Sequence, residues 1–192
     1  MKAFEFSNSA QQVPSSLQQP FTITANPGTD LWRKPPSTSR FNVPFLHTRA
    51  TPLASLQRAR VRVSAYWKTL YDQGGLAIFS GYRIWIKAGI EFTHGRPNVS
   101  VVATDRWSDW SLSPMPQPNN GDVTIEMIRE KDGSLWIYVI EADGEKRPVR
   151  EVTWAFDSQD KAECWVGAFA AKPSNEAGNL EVQFDGLEIE FA

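Results

Sequence analysis

One cysteine, Cys164, excludes an internal disulfide, and its apolar neighbours Trp165 and Val166 mark a buried thiol rather than a nucleophile. Only two histidines are present, His47 and His94, and neither has a second ligand-type residue at metal spacing. Ser-His-Asp catalysis is therefore poorly supported, and neither a metal nor a cofactor is expected. Asp30, Asp72 and Asp157 fall in loops, yet no calcium-loop pattern surrounds them. No Gly-rich loop ends in Lys-Ser or Lys-Thr to cradle a phosphate. The 20 basic and 22 acidic residues are interspersed and give a net charge of −2. Without a basic block, neither nucleic acid nor a membrane surface is an expected partner. No stretch approaches the roughly 20 apolar residues that span a bilayer, and residues 1–6 hold no leader-length apolar run. A soluble, cytoplasmic chain is the expectation. Heptads, long amphipathic helices and repeats of domain-building length are all absent.

What the chain does have is alternation. Short runs of alternating apolar and polar residues recur between clusters of Gly, Pro, Asn and Asp, as at 21–25, 58–66, 98–104, 123–129, 135–140, 164–171 and 180–191. Further strands are expected at 3–6, at 41–48 with an irregularity at Pro44, at 70–79 and at 149–156, while 105–113 is marked by Trp107, Asp109 and Trp110. Gly74-Gly75 suggests a bulge or a close backbone approach. Residues 157–163 are the only candidate helix. This pattern specifies an all-β fold with very little helix: an antiparallel two-sheet β-sandwich of the jelly-roll type. Residues 1–20 read as an N-terminal edge strand and loop, and residues 21–192 as the sandwich.

The densest signal is 84–92. Ile84, Ile86, Ala88 and Ile90 point one way; Trp85, Lys87, Gly89 and Glu91 point the other. The second face combines an indole, an amine, bare backbone and a carboxylate. That suits a groove floor, although Trp85 under a loop with two ordinary charges beside it fits the alternation equally. Lys87 and Glu91 stand about 13 Å apart along an extended strand, so each needs a cross-strand partner or a ligand. If 98–104 pairs with this strand, Ser100, Val102 and Thr104 share the polar side.

Trp85 and Trp110 are candidate flat platforms for a ligand, with Thr104, Trp32 and Tyr66 as further binding residues. Trp32 lies in a Pro-rich loop and either plugs the sandwich end or lines a site mouth. Catalysis would fall to Lys87, Glu91 and Asp109, with a carboxylate as base and Lys87 stabilising an oxyanion. Glu188 and Glu190 alternate on the final strand and read as solvated.

Tyr71-Asp72-Gln73-Gly74-Gly75-Leu76, Trp85-Ile86-Lys87-Ala88-Gly89-Ile90-Glu91, Ser100-Val101-Val102-Ala103-Thr104 and Ser108-Asp109-Trp110-Ser111 together resemble the fungal regulation-of-enolase proteins. Gly167-Ala168-Phe169 and Phe184-Asp185-Gly186-Leu187 extend the likeness, which covers roughly residues 21–191. These proteins form a domain-of-unknown-function family within the concanavalin A-like lectin/glucanase superfamily. The resemblance implies a jelly roll with one concave face, on which relatives of the fold bind or cleave carbohydrate. It supplies no catalytic residues, and the alternating acids of the superfamily's glucanases have no counterpart here. Three readings follow: a protein binding a carbohydrate or related polar metabolite, an acid/base enzyme on a sugar derivative or secondary metabolite, and a regulatory protein with a protein partner.

Overall fold

Period-2 alternation lays down two antiparallel sheets around one shared apolar layer. The computed structural model of the chain describes residues 4–81, 83–118, 120–157 and 162–192. The larger sheet runs in the order β1 (Phe4–Ser7), β5 (Phe45–Thr48), β15 (Glu163–Ala171), β8 (Gln73–Ser80), β9 (Ile84–Thr93), β10 (Arg96–Thr104), β11 (Ser108–Ser113), and β6 (Thr51–Pro52) also pairs with β15. The smaller runs β14 (Lys146–Val152), β13 (Leu135–Ile140), β12 (Asp122–Arg129), β7 (Leu56–Ala65), β16 (Leu180–Phe191), β2 (Phe21–Ala25). A separate hairpin, β3 (Leu31–Lys34) and β4 (Thr38–Phe41), lies outside both. The fold is the expected all-β sandwich. Among the described residues no helix is long and apolar enough to cross a membrane.

Most expected strands appear, with informative shifts at their ends. The 41–48 strand breaks around Pro44, leaving Phe41 at the end of β4 and Phe45 at the start of β5. The 70–79 strand begins only at Gln73, because 69–72 close a turn: Asp72 N–H donates to Thr69 O at 2.9 Å, and Asp72 Oδ2 accepts from Thr69 N–H at 3.0 Å. The 149–156 strand runs earlier, over Lys146–Val152, and turns where Ala155 N–H meets Val152 O. The candidate helix at 157–163 rests on 158–161, which lie outside the described residues.

Ile86, Ala88 and Ile90 of β9, with Val99, Val101 and Ala103 of β10, pack against Ala59, Val61 and Val63 of β7 across the sandwich. The other face of the larger sheet carries a second apolar cluster. Phe45, Phe79, Trp85 and Phe169 are covered there by Leu31 and Val43, from the hairpin and the loop after it. Arg33 fixes this cover. Its backbone N–H donates to Ser108 Oγ at 3.0 Å, and its Nη1 donates to the Arg83 and Asp105 carbonyls at 2.8 and 3.2 Å. Its guanidinium lies 4.3 Å from the centre of the Trp85 ring. Trp85 is thus a core residue under a loop, 2% exposed.

Gly75 and Gly89 face each other in the β8–β9 register without a bulge. A Cβ on Gly75 would lie 2.1 Å from the Ala88 carbonyl oxygen, and one on Gly89 2.0 Å from that of Gly74. The close approach anticipated from the sequence is therefore real, and it sits at the centre of the sheet.

The smaller sheet's outer face is a charge lattice. Burial acts to raise the Glu126 carboxyl, but hydrogen bonds from Lys146 and Arg58 outweigh it and hold the group below its usual range. Glu188 and Glu190 are partly exposed and pair with Arg58 at 2.9 and 2.5 Å.

Gly75→Ala should cost about 3 kcal/mol or more, because backbone must move to admit the methyl; urea denaturation at wild-type stability would contradict the close approach. Trp85→Ala should cost about 3–5 kcal/mol by leaving a cavity under the hairpin, again read from urea denaturation, and a loss below about 1 kcal/mol would show that the hairpin does not seal this cluster.

Candidate functional site

The site grows from the polar side of β9. Lys87 sits opposite Ala77, and Glu91 opposite Gln73, with the Gly75–Gly89 pair between them. Glycine leaves a trough there, and the Lys87 side chain runs along it to donate from Nζ to Gln73 Oε1 at 2.5 Å. Lys87 thereby bridges much of the backbone distance that separates it from Glu91. The Phe169 ring centre lies 5.8 Å from Nζ. On the other flank, Trp110 Nε1–H donates to Ser100 Oγ at 2.9 Å, and the Ser100 hydroxyl donates to Glu91 Oε2 at 2.7 Å. Ser100, Val102 and Thr104 do pair with Gly89, Lys87 and Trp85, as the hairpin reading expected.

The walls come from distant parts of the chain. Along β3, Leu31 and Arg33 turn to the apolar cluster, while Trp32 and Lys34 turn to the cleft, with Arg40 and Thr38 opposite them on β4. Trp32 meets Trp110 edge to face, ring centres 6.2 Å apart, and Tyr71 meets the same indole at 6.3 Å. Tyr71 holds a left-handed φ of 67°, fixed by its N–H donating to Phe92 O at 2.7 Å. Behind this rim, Lys172 Nζ donates to Thr69 Oγ1 at 3.3 Å and lies 3.9 Å from Asp72 Oδ1, both charges buried. The cleft measures about 690 Å³, a size for a small molecule.

Three buried ionisable groups line this cleft. Burial pushes the Lys87 amine below its ordinary value, against the opposing charges of Glu91 and Asp30. Burial raises the Glu91 carboxyl, with the Lys87 charge and the Ser100 hydrogen bond acting the other way. Asp30 is likewise raised by burial, opposed by Lys87 and then Arg40, whose Nη1 is 3.9 Å from Asp30 Oδ2. An amine lowered and carboxyls raised by the same burial bring their charged and neutral forms closer in free energy, which is the setting that general acid–base chemistry uses.

The structure brings together Lys87, Glu91, Trp110 and Trp32, and it separates the other sequence candidates from them. Trp85 lies in the covered cluster. Thr104 is fully buried, its hydroxyl 3.0 Å from Ser108 Oγ. Tyr66 is 81% exposed outside the cleft, while the next residue, Trp67, turns inward and donates to Gly121 O at 2.7 Å. Asp109 neighbours Trp110 on β11 and so points to the opposite face, where it pairs with Arg150 of β14. Sequence reasoning did not assign Asp30, Arg40, Gln73, Leu70 or Tyr71 to the site. Gln73 and Tyr71 belong to a quoted motif, and Asp30 adjoins the Leu31-Trp32 pair, but only the topology brings them together. Among the described residues no group of three His, Cys, Asp or Glu is placed to hold a metal ion.

Comparison with known proteins gives the chain a family. A family model described as a protein of unknown function, DUF1349, matches residues 6–192. An uncharacterized protein of Emericella nidulans is 50% identical over 196 residues, covering 99% of this chain and 96% of that protein. Regulation of enolase protein 1 of Saccharomyces cerevisiae is 32% identical over 163 residues, 85% of this chain and 77% of the relative. A functionally unknown protein from Saccharomyces cerevisiae superposes with a TM-score of 0.81 at 29% identity, covering 98% of this chain and 96% of the other. A xylan β-1,4-xylosidase from Bacillus halodurans C-125 shares the fold, with a TM-score of 0.67 at 12% identity, covering 93% of this chain and 35% of the xylosidase. With its jelly-roll sandwich and a family model matching nearly its whole length, the chain belongs to the DUF1349 family of proteins of unknown function.

Proposed function

We propose that this cleft binds a carbohydrate or a related polar metabolite, with the protein acting in the cytoplasm. The observation that carries the reading is the pairing of an aromatic wall with a polar floor. Trp32, Trp110 and Tyr71 offer apolar surfaces to the C–H faces of a ring, and Lys87, Glu91, Gln73 and Asp30 offer donors and acceptors to its hydroxyls. The xylosidase of the same fold, and the yeast relative whose name refers to enolase regulation, are compatible with a role in carbon metabolism. A second reading, an acid/base enzyme on a sugar derivative or secondary metabolite, draws on the buried amine and carboxyl at the floor. In that reading Glu91 and Lys87 move the proton, while Asp109 has no part because it faces away.

Trp110→Ala and Trp32→Ala should each weaken a stabilising sugar by about tenfold or more, measured by calorimetry after a thermal-shift screen of monosaccharides. Unchanged affinity in both variants would remove the aromatic wall from recognition. The floor makes a separate pH prediction. A carboxyl raised in the native state holds a proton that the unfolded chain releases, so native stability falls as pH climbs from the unfolded value of 4.5 through the native one. Glu91→Gln removes that loss. The variant's stability relative to wild type should therefore grow above pH 4.5, by up to about 1.4 kcal/mol per unit of upward displacement. Urea titrations across this range test it; a constant gap would mean that Glu91 ionises freely in the fold.

A further inference from the structure

The Lys87 amine is held in an unusual way. It is 3% exposed, yet among the described residues no carboxylate oxygen comes within ion-pair distance of it. Its hydrogen-bond partner is the neutral amide oxygen of Gln73. A lysine that only stabilises a fold normally reaches water or a carboxylate, because burying an unpaired ammonium is costly. Lys172, equally buried in this protein, follows that rule by approaching Asp72. Lys87 instead ends on the wall of a cleft large enough for a small molecule, beside a carboxyl held in place by the Trp110–Ser100–Glu91 chain. Next to it lies a small void of about 10 Å³, bounded by Lys87, Gly89, Glu91, Ser100 and Phe169, which is about one water in size.

From this arrangement the geometry points to Lys87 as a nucleophile that captures a small aldehyde or ketone, such as an open-chain sugar, as an imine on the cleft floor. The inference rests on the reading of the cleft as the ligand site and goes beyond it by naming a covalent step. The Nζ lone pair attacks the carbonyl carbon and a C–N bond forms. The carbonyl oxygen takes a proton from Glu91, and the nitrogen returns one to the Glu91 carboxylate, giving a neutral carbinolamine. The C–O bond then breaks and the oxygen leaves as water, with one proton from Glu91 and the last nitrogen proton restoring that carboxyl. The sum is amine plus carbonyl giving imine plus water, with nothing oxidised or reduced. Burial favours the neutral amine that the attack requires. The one-water void gives the departing oxygen a place, and it supplies the water for the reverse step.

Sodium borohydride trapping of the full chain with dihydroxyacetone tests the step, because hydride converts the imine to a stable secondary amine. The expected product carries one addition, equal to the mass of dihydroxyacetone less one oxygen, mapped by peptide mass spectrometry to Lys87. It should form at least about tenfold faster than labelling of the exposed Lys68 and Lys131. Lys87→Arg should abolish the fast addition. Wild-type mapping stands without the variant: slow labelling of exposed lysines with Lys87 unmodified overturns the proposal. A parallel thermal shift with methyl glucosides, which have no free carbonyl, separates the two readings. Glycoside stabilisation that Trp110→Ala removes, with Lys87 unlabelled, overturns the imine and leaves the binding site standing. Neither stabilisation nor trapping overturns both.

Discussion

The close contact of Gly75 with Gly89 is the constraint on which the site depends. Two bare backbones meet at the middle of the larger sheet, where any side chain on either would strike a carbonyl oxygen of the neighbouring strand. The sheet gains a flat place, and Lys87 uses it as a path to Gln73. Without that path the amine would stand up into the cleft, away from the carboxyl it now influences. A backbone contact thus sets the electrostatics of a side-chain cluster.

Around that floor the chain solves two burial problems with one sheet. One face packs against the smaller sheet and forms the sandwich core. The other is divided: one end is covered by the β3–β4 hairpin and becomes a second apolar cluster, and the rest stays open as the cleft. The hairpin serves both halves because alternate residues along β3 face opposite ways, Leu31 and Arg33 to the cluster and Trp32 and Lys34 to the cleft. The buried Asp72–Lys172 pair joins the start of β8 to the end of β15 beside the rim that carries Tyr71.

Much of this was legible in the sequence, and the misses share a cause. Alternation at 84–92 correctly placed Lys87 and Glu91 on one face and the isoleucines on the other, and the pairing with 98–104 followed. Alternation tells which face a residue occupies but not what covers that face, so Trp85 was equally consistent with a groove and with a loop above it. The same rule, applied strictly, separates Asp109 from Trp110, since neighbours on a strand point apart. Asp30, Arg40 and Gln73 were not legible as a group: 43 positions of chain separate Asp30 from Gln73, and only the placement of the hairpin over the sheet joins them. The reach of Lys87 was also hidden, because strand spacing measures backbone and not a long side chain lying along a glycine trough.

The divided outer face has a consequence for motion. The cluster around Trp85 is separate from the sandwich core and is roofed by a hairpin that pairs with neither main sheet. Such a hairpin can form a cooperative unit of its own, opening at a free energy below that of global unfolding. In hydrogen-exchange terms, the amides of β3 and β4 would then exchange through a local route while those of β8 and β9 wait for the whole fold. The aromatic wall of the cleft would come and go with the hairpin, and the floor would persist. Occupancy of the cleft and integrity of the fold are then separate equilibria, joined only through Trp32 and its neighbours.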